Sequence, residues 1–232
     1  MTRAVLFDVG GPIDTEVEYE RLVDLHISEA LAQEGVRVDI ETLASASEWA
    51  VERFAPNTYQ SMIWHLLPNP ERARHVFEVV AHRADERQSA RGGLELRPGI
   101  VEVLDFLRGR GLLLGLAANQ PADIVTRLDR FGVGKAYFGH LETSGVHGFR
   151  KPDVRLFLRA CEDLGVDPHE CVMVGDRIDN DIVPASWLGM RTILLRTGRH
   201  RKQQPRSAAE VPTFEATSVE ELADCLELAI AH

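Results

Sequence analysis

Short apolar runs alternate with amphipathic stretches along most of the chain. Residues 3–7 (RAVLF) form an apolar run that ends at Asp8 and meets a turn-rich Gly10-Gly11-Pro12. Residues 112–117 (LLLGLA), 171–174 (CVMV) and 192–195 read as buried strands, and 136–141 as a weaker one. Helices are predicted between them. Pro98 stands at a first helical position ahead of Ile100, Val103, Leu104 and Leu107, with Gly111 as the stop. Residues 123–131 read as a second helix. Val154, Phe157, Leu158 and Cys161 mark a third, ended by Gly165, and about 182–188 a fourth. Ser218 and Glu221 cap a last one with Leu222, Cys225, Leu226 and Ala229 on one face. From 15 to 91 no alternating strand appears. Thr15 with Glu18 reads as a capping box, Val23, Ile27, Ala30 and Leu31 as a helical stripe, and the helical region closes near the Gly92-Gly93 pair. Strands alternating with helices predict an α/β fold with a parallel sheet covered on both faces. The expected division is a core of 1–14 and 92–232 interrupted by an all-helical insertion, 15–91.

Composition narrows the function classes. Apolar residues make up 44% of 232, enough for a buried core, and the formal net charge is −10. That acidity speaks against a nucleic-acid or membrane-surface partner, which would want a basic face. Cys161, Cys171 and Cys225 are odd in number and lack metal-site spacing, so neither a disulfide framework nor a zinc site is expected. The start, MTRAVLFDVGG, does not read as a signal peptide, and no apolar stretch approaches a bilayer span. The expectation is a cytoplasmic protein; oligomeric state is not encoded in any visible pattern. The basic stretch 196–206, with Arg199, Arg201, Lys202 and Arg206, reads as a solvated loop.

The chemistry sits where strands end. In open parallel sheets ligands bind beyond the carboxyl ends of the strands. Asp8, Asn119 and Asp176 stand there, Asp181 follows on the next turn in GDRIDND, and Lys151 stands in FRKPD. Taken singly, an Asp after a strand also serves as a turn former, K-P-D as a helix start, and GDRIDND as a turn or calcium loop. Together they bring three carboxylates and one ammonium to a single sheet edge. Converging carboxylates either hold protons or bind a cation. Hard oxygen ligands favour Mg²⁺, and a carboxylate is a competent nucleophile towards phosphorus.

In this order the stretches LFDVGGPID (6–14), LGLAANQ (114–120), GFRKPD (148–153) and VGDRIDND (174–181) resemble the haloacid dehalogenase superfamily. The resemblance implies a Rossmann-like core and a helical cap inserted between the first two motifs. Position by position, it implies Asp8 as nucleophile and Lys151 as the motif lysine. Asp8, the Gly10 carbonyl, Asp176 and Asp181 become Mg²⁺ ligands, and Asn119 helps hold the phosphate through its backbone. The implied activity is a magnesium-dependent phosphatase acting on a small phosphorylated molecule through an aspartyl-phosphate.

Two positions depart from the family pattern. Gly10 stands where its phosphatases usually place a second Asp as general acid and base, and Ala118 where they offer Ser or Thr to the phosphate; Pro12 also replaces a common Thr. General acid–base help is worth roughly 10²–10⁴ in rate, and a hydroxyl bond to a charged phosphate about 1.5–3 kcal/mol. Two alternatives therefore stand beside the phosphatase: a catalytically weakened protein that binds a phosphorylated ligand, and a 2-haloacid dehalogenase. The latter branch shares the missing second Asp but works without metal and keeps the Ser. A phosphonate hydrolase would need a lysine in the cap, and residues 15–91 contain none. Asp14, which could stand in for the missing acid, reads as a cap of the segment entering the insertion, and His26, Trp49, Tyr59 and Trp64 as packing residues of the insertion.

Overall fold

The computed structural model describes residues 1–91 and 94–231. Gly92-Gly93 lies outside the described residues. Along the chain run β1 (Ala4–Phe7), α1 (Val17–Gln33), α2 (Ile40–Glu52), α3 (Thr58–Leu66), α4 (Pro70–Arg91), α5 (Ile100–Gly109), β2 (Leu113–Leu116), α6 (Ile124–Arg130), α7 (Ser144–His147), α8 (Val154–Leu164), β3 (Cys171–Gly175), α9 (Val183–Trp187), β4 (Arg191–Leu195), β5 (Phe214–Ala216) and α10 (Val219–Ala231). They form two compact units, Met1–Thr15 with Leu96–His232, and Glu16–Glu95.

The first unit is built on a five-stranded sheet in the order β2-β1-β3-β4-β5, every pairing parallel. The chain steps from β1 to β2 on one side, then returns to β3 on the other. The direction of winding thus reverses beside β1, the place where such sheets open a crevice at their carboxyl ends. β1 is wholly buried because it is central and covered on both faces. Ala4 and Leu6 pack with Cys171 and Met173 of β3 against Leu156, Phe157 and Ala160 of α8. Val5 and Phe7, alternate in the pleat, point the other way.

The second unit holds α1 to α4 around Ile27, Leu31, Met62, Ile63, Val76 and Val80. The starts of α2, α3 and α4 are capped by side chains: Asp39 accepts from Thr42 N at 2.8 Å, Asn57 from Gln60 N at 3.0 Å and Asn69 from Arg72 N at 3.1 Å. His26 is 2% exposed, and Trp49 stacks on His65 with ring centroids 4.3 Å apart, both in packing roles. Trp64, expected in this core, is instead 45% exposed.

Four local expectations are corrected. The stretch 136–141 makes no strand: it folds into a turn, with Tyr137 N and Phe138 N both bonding Gly134 O, and only His140 bridges to Gly115 of β2. Helix α1 begins at Val17 with Glu16 as its N-cap in the left-handed region (φ 58) and no side-chain cap bond, so Thr15 is not its cap. Pro98 stands ahead of α5, whose N-cap is Gly99 with φ 83. The helix expected at 182–188 is preceded by a wide π-type turn, Ile178–Ile182. β5, three residues long, carries too little pattern to be read from sequence.

Candidate active site

Asp8 is the first residue past β1, and its amide extends the ladder by donating to Val174 O of β3 at 2.9 Å. The chain then turns sharply. Ile13 N and Asp14 N both bond Val9 O, and Gly11 N bonds Asp14 O. Gly10 lies buried in this turn, two residues beyond Asp8, and bridges to Asp14. Gly11 has φ 81, and a Cβ there would lie 2.7 Å from Cβ of Asp176, so only glycine lets the two turns approach.

From β3 the chain reaches Gly175 and Asp176. Asp181, wholly buried, folds back so that its Oδ2 accepts from the backbone amides of Asp176 and Arg177 at 3.1 and 3.0 Å. The wide turn Ile178–Ile182 makes that return possible. It leaves Asp181 Oδ1 facing Lys151 Nζ at 2.6 Å, and the same ammonium stands 2.8 Å from Asp8 Oδ2. Asp8, Asp176 and Asp181 each present an oxygen within 4.8 Å of the others.

Three carboxylates face one ammonium in a largely buried space, an acidic surplus. Burial pushes the Asp8 carboxyl up to about 7, and Asp181 and Asp176 add to the effect against the pull of Lys151. Asp181 is raised as well, again chiefly by burial. Burial opposes the charged form of Lys151, but Asp181 and Asp8 outweigh it and its affinity for the proton rises. Such a cluster of hard oxygens fits a small divalent cation.

Asn119, past the end of β2, turns its side chain to the backbone of Lys151. It accepts from Lys151 N at 2.8 Å and donates to Lys151 O at 3.1 Å. Ala118, beside it, is fully buried. Every residue singled out by the sequence motifs thus lies at one rim of the sheet. Others were not foreseen. His200 Nδ1 stands 3.6 Å from Asp176 Oδ2, and Arg97 donates from Nε to Gly11 O at 2.6 Å and from Nη2 to Thr197 Oγ1 at 2.8 Å. The stretch 196–206, expected to be a solvated loop, is anchored: Gln203 is 1% exposed and bonds the 176–181 turn. Arginines that read as solvated charge in isolation carry no signal of the neighbours that hold them.

An α/β sheet with an acid-and-lysine rim at its switch point defines a hydrolase of the phosphatase-like kind. Residues 2–189 match the haloacid dehalogenase-like hydrolase family, and the chain belongs to it. It is 29% identical over 230 residues to a glyceraldehyde 3-phosphate phosphatase of Methanopyrus kandleri, an alignment covering 97% of each chain. It is 34% identical over 143 residues to a phosphoserine phosphatase of Thermus thermophilus, covering 61% of this chain and 54% of that one. Among solved structures, a predicted phosphoglycolate phosphatase from Haemophilus somnus shares the fold with a TM-score of 0.73 at 20% identity, covering 98% of this chain and 97% of the other. No helix among the described residues is long and apolar enough to cross a membrane.

Proposed function

We propose that the protein is a magnesium-dependent phosphatase of a small phosphorylated metabolite, with Asp8 as its nucleophile. The observation that carries this reading is the Lys151 ammonium set between Asp8 and Asp181, with Asp176 completing the acidic cluster. Asp8, Asp176, Asp181 and the Gly10 carbonyl would hold the cation. When bound, Mg²⁺ supplies positive charge that draws in the phosphoryl group and offsets the charge built up during transfer.

The chain's own groups do the rest. An Asp8 carboxylate oxygen attacks phosphorus in line, the phosphorus–oxygen bond to the leaving group breaks, and an aspartyl-phosphate forms. Lys151 balances the negative charge of the phosphoryl oxygens, and the backbone beyond Asn119 helps to hold them. Water then adds to phosphorus, the bond to Asp8 breaks, and phosphate and the free carboxylate return. Asp181 holds Lys151 through its Oδ1, so that the ammonium is aimed at the nucleophile and not at solvent. The helical unit Glu16–Glu95 would act as the cap that excludes water and selects the substrate. Charged metabolite esters and three free thiols suit a cytoplasmic setting.

The test is hydrolysis of an aryl phosphate with and without Mg²⁺, followed by a panel of phosphorylated metabolites that includes glyceraldehyde 3-phosphate, phosphoglycolate and phosphoserine. Turnover that needs Mg²⁺ and disappears in Asp8→Asn supports the reading; metal-independent turnover, or turnover that survives in Asp8→Asn, refutes it. Gly10 and Ala118 favour one second reading, a phosphate-ligand-binding protein of weakened activity. Calorimetry would then give tight ligand binding with no turnover.

A further inference from the structure

The loop between β4 and β5 reaches the candidate site through His200, beside Asp176, and through the buried side chain of Gln203. Gln203 accepts from Ile178 N at 2.7 Å through Oε1 and donates to Asp179 Oδ1 at 3.1 Å through Nε2. Asp179 is paired in turn with Arg177 through Nη2 at 2.5 Å. Glutamine is rarely buried unless both ends of its amide are bonded, and here both bonds fall on the turn that lies between Asp176 and Asp181.

The loop itself is anchored from two sides. Arg196 makes two bonds of 2.9 Å to Glu215 of β5 and donates to the backbone carbonyl of Gln203. Arg97 bonds Thr197 and, through its Nε, the carbonyl of Gly11 in the turn that follows Asp8. Gln203 is therefore the end of a rigid path from the sheet edge to the acid-bearing turn. Without it, the buried amide of Ile178 loses its partner and Asp179 loses one of its donors.

We propose that Gln203 is a positioning residue for the cation site, holding the 176–181 turn so that Asp176 and Asp181 meet Asp8. The proposal rests on the magnesium reading above. It predicts that the effect of losing Gln203 appears in cation affinity more than in chemistry, because no reacting group is touched. Partners that orient ligating carboxylates typically change metal affinity by 10–100-fold when removed.

The experiment uses the full chain with Gln203→Met, which keeps the volume and removes both hydrogen bonds. Gln204→Ala, exposed on the same loop, is the control. Hydrogen exchange over 176–182 and Mg²⁺ titration by calorimetry are measured together, with aryl phosphate turnover against Mg²⁺ concentration. The expected result is faster exchange across the turn and a Kd for Mg²⁺ weaker by roughly 10–100-fold. Turnover at saturating Mg²⁺ should stay near wild type, and Gln204→Ala should be unchanged. Gln203→Glu keeps the acceptor for Ile178 N but sets a carboxylate oxygen against Asp179 Oδ1, so exchange across the turn should be at least as fast as in Gln203→Met. A wild-type isotherm copied by Gln203→Met overturns the inference alone. A wild-type protein that takes up no Mg²⁺ overturns the magnesium reading and the inference with it.

Discussion

Asn119 closes two hydrogen bonds on the backbone of Lys151, accepting from its amide at 2.8 Å and donating to its carbonyl at 3.1 Å. The pair is 32 positions apart in the chain. It ties the end of β2 to the segment that carries the ammonium, so that the base of the Lys151 side chain is fixed from one side and its tip from the other by Asp8 and Asp181. Asn119→Ala should lower kcat by about 10–100-fold, the usual cost of removing a group that orients a site residue, while KM moves less. Steady-state kinetics on an aryl phosphate check this; a variant with wild-type kcat would show that Lys151 is held without the amide.

The motifs made the site legible because Asp8 and Asp176 follow short apolar runs, and strand ends gather at one rim whenever the strands are parallel. Asp181, on the next turn, and Lys151, in FRKPD, are brought to the same rim by the order of the family motifs. What sequence did not show is which groups hold them. Asn119 is expected to act through its backbone, and nothing in the sequence shows its side chain bonding the backbone of Lys151. Gln203 and Arg97 lie in stretches of polar residues where nothing distinguishes a buried tie from a solvated chain. The same limit applies to the fold: β1 and β3 are continuous apolar runs, whereas 136–141 has the composition of a strand but is bent by the turn at Gly134.

The raised Asp8 carboxyl makes stability depend on pH in a defined sense. The unfolded value is 3.8 and the folded value about 7, so the folded state holds the proton more tightly. The stabilisation from that retained proton is fully present below the unfolded value and is lost as pH rises towards about 7, then levels off. The stability of wild type minus that of Asp8→Asn, measured by denaturant unfolding in a chelator, should fall across that window. Added Mg²⁺ should remove the slope, since a cation favours the ionised carboxylate. A flat difference without metal would mean that Asp8 ionises normally in the folded protein.

Gly175 tests whether the acidic turn must lie as close as it does. A Cβ at this position would lie 2.4 Å from Cβ and Cγ of Asp181, a distance no relaxed structure tolerates. Gly175→Ala should therefore displace Asp181 from the amides of 176 and 177 and from Lys151. The expected result is a loss of stability of about 1–3 kcal/mol from overpacking, together with loss of Mg²⁺ binding. Gly165→Ala is a useful contrast: it has nothing within 4 Å of the new Cβ, and its cost should come only from the left-handed φ of 65. Thermal unfolding and calorimetry on both separate the two effects. Undiminished Mg²⁺ binding in Gly175→Ala would show that Asp181 is not needed for it.

Gly10 and Ala118 are the positions where activity should be gained by substitution. Among the groups acting on Asp8, Lys151 and Asp181 are already bonded to each other, and Asp176 is another acid of the cluster. None of these three is placed to hand a proton to a departing alkoxide, so turnover should depend steeply on how well the leaving group carries negative charge. Gly11, not Gly10, has the positive φ in this turn, so a side chain at 10 does not meet a backbone barrier. Gly10→Asp should raise kcat on alkyl phosphates by roughly 10²–10⁴ and flatten the dependence of rate on leaving-group pKa across a series of aryl phosphates. Ala118→Ser should add a bond to the phosphoryl group and improve kcat/KM by about tenfold to a hundredfold whatever the leaving group. The two effects are separable because one acts on the departing oxygen and the other on the oxygens that stay. A wild-type enzyme already insensitive to leaving-group pKa would show that a proton donor beyond these residues serves the site, and Gly10→Asp would then bring no gain.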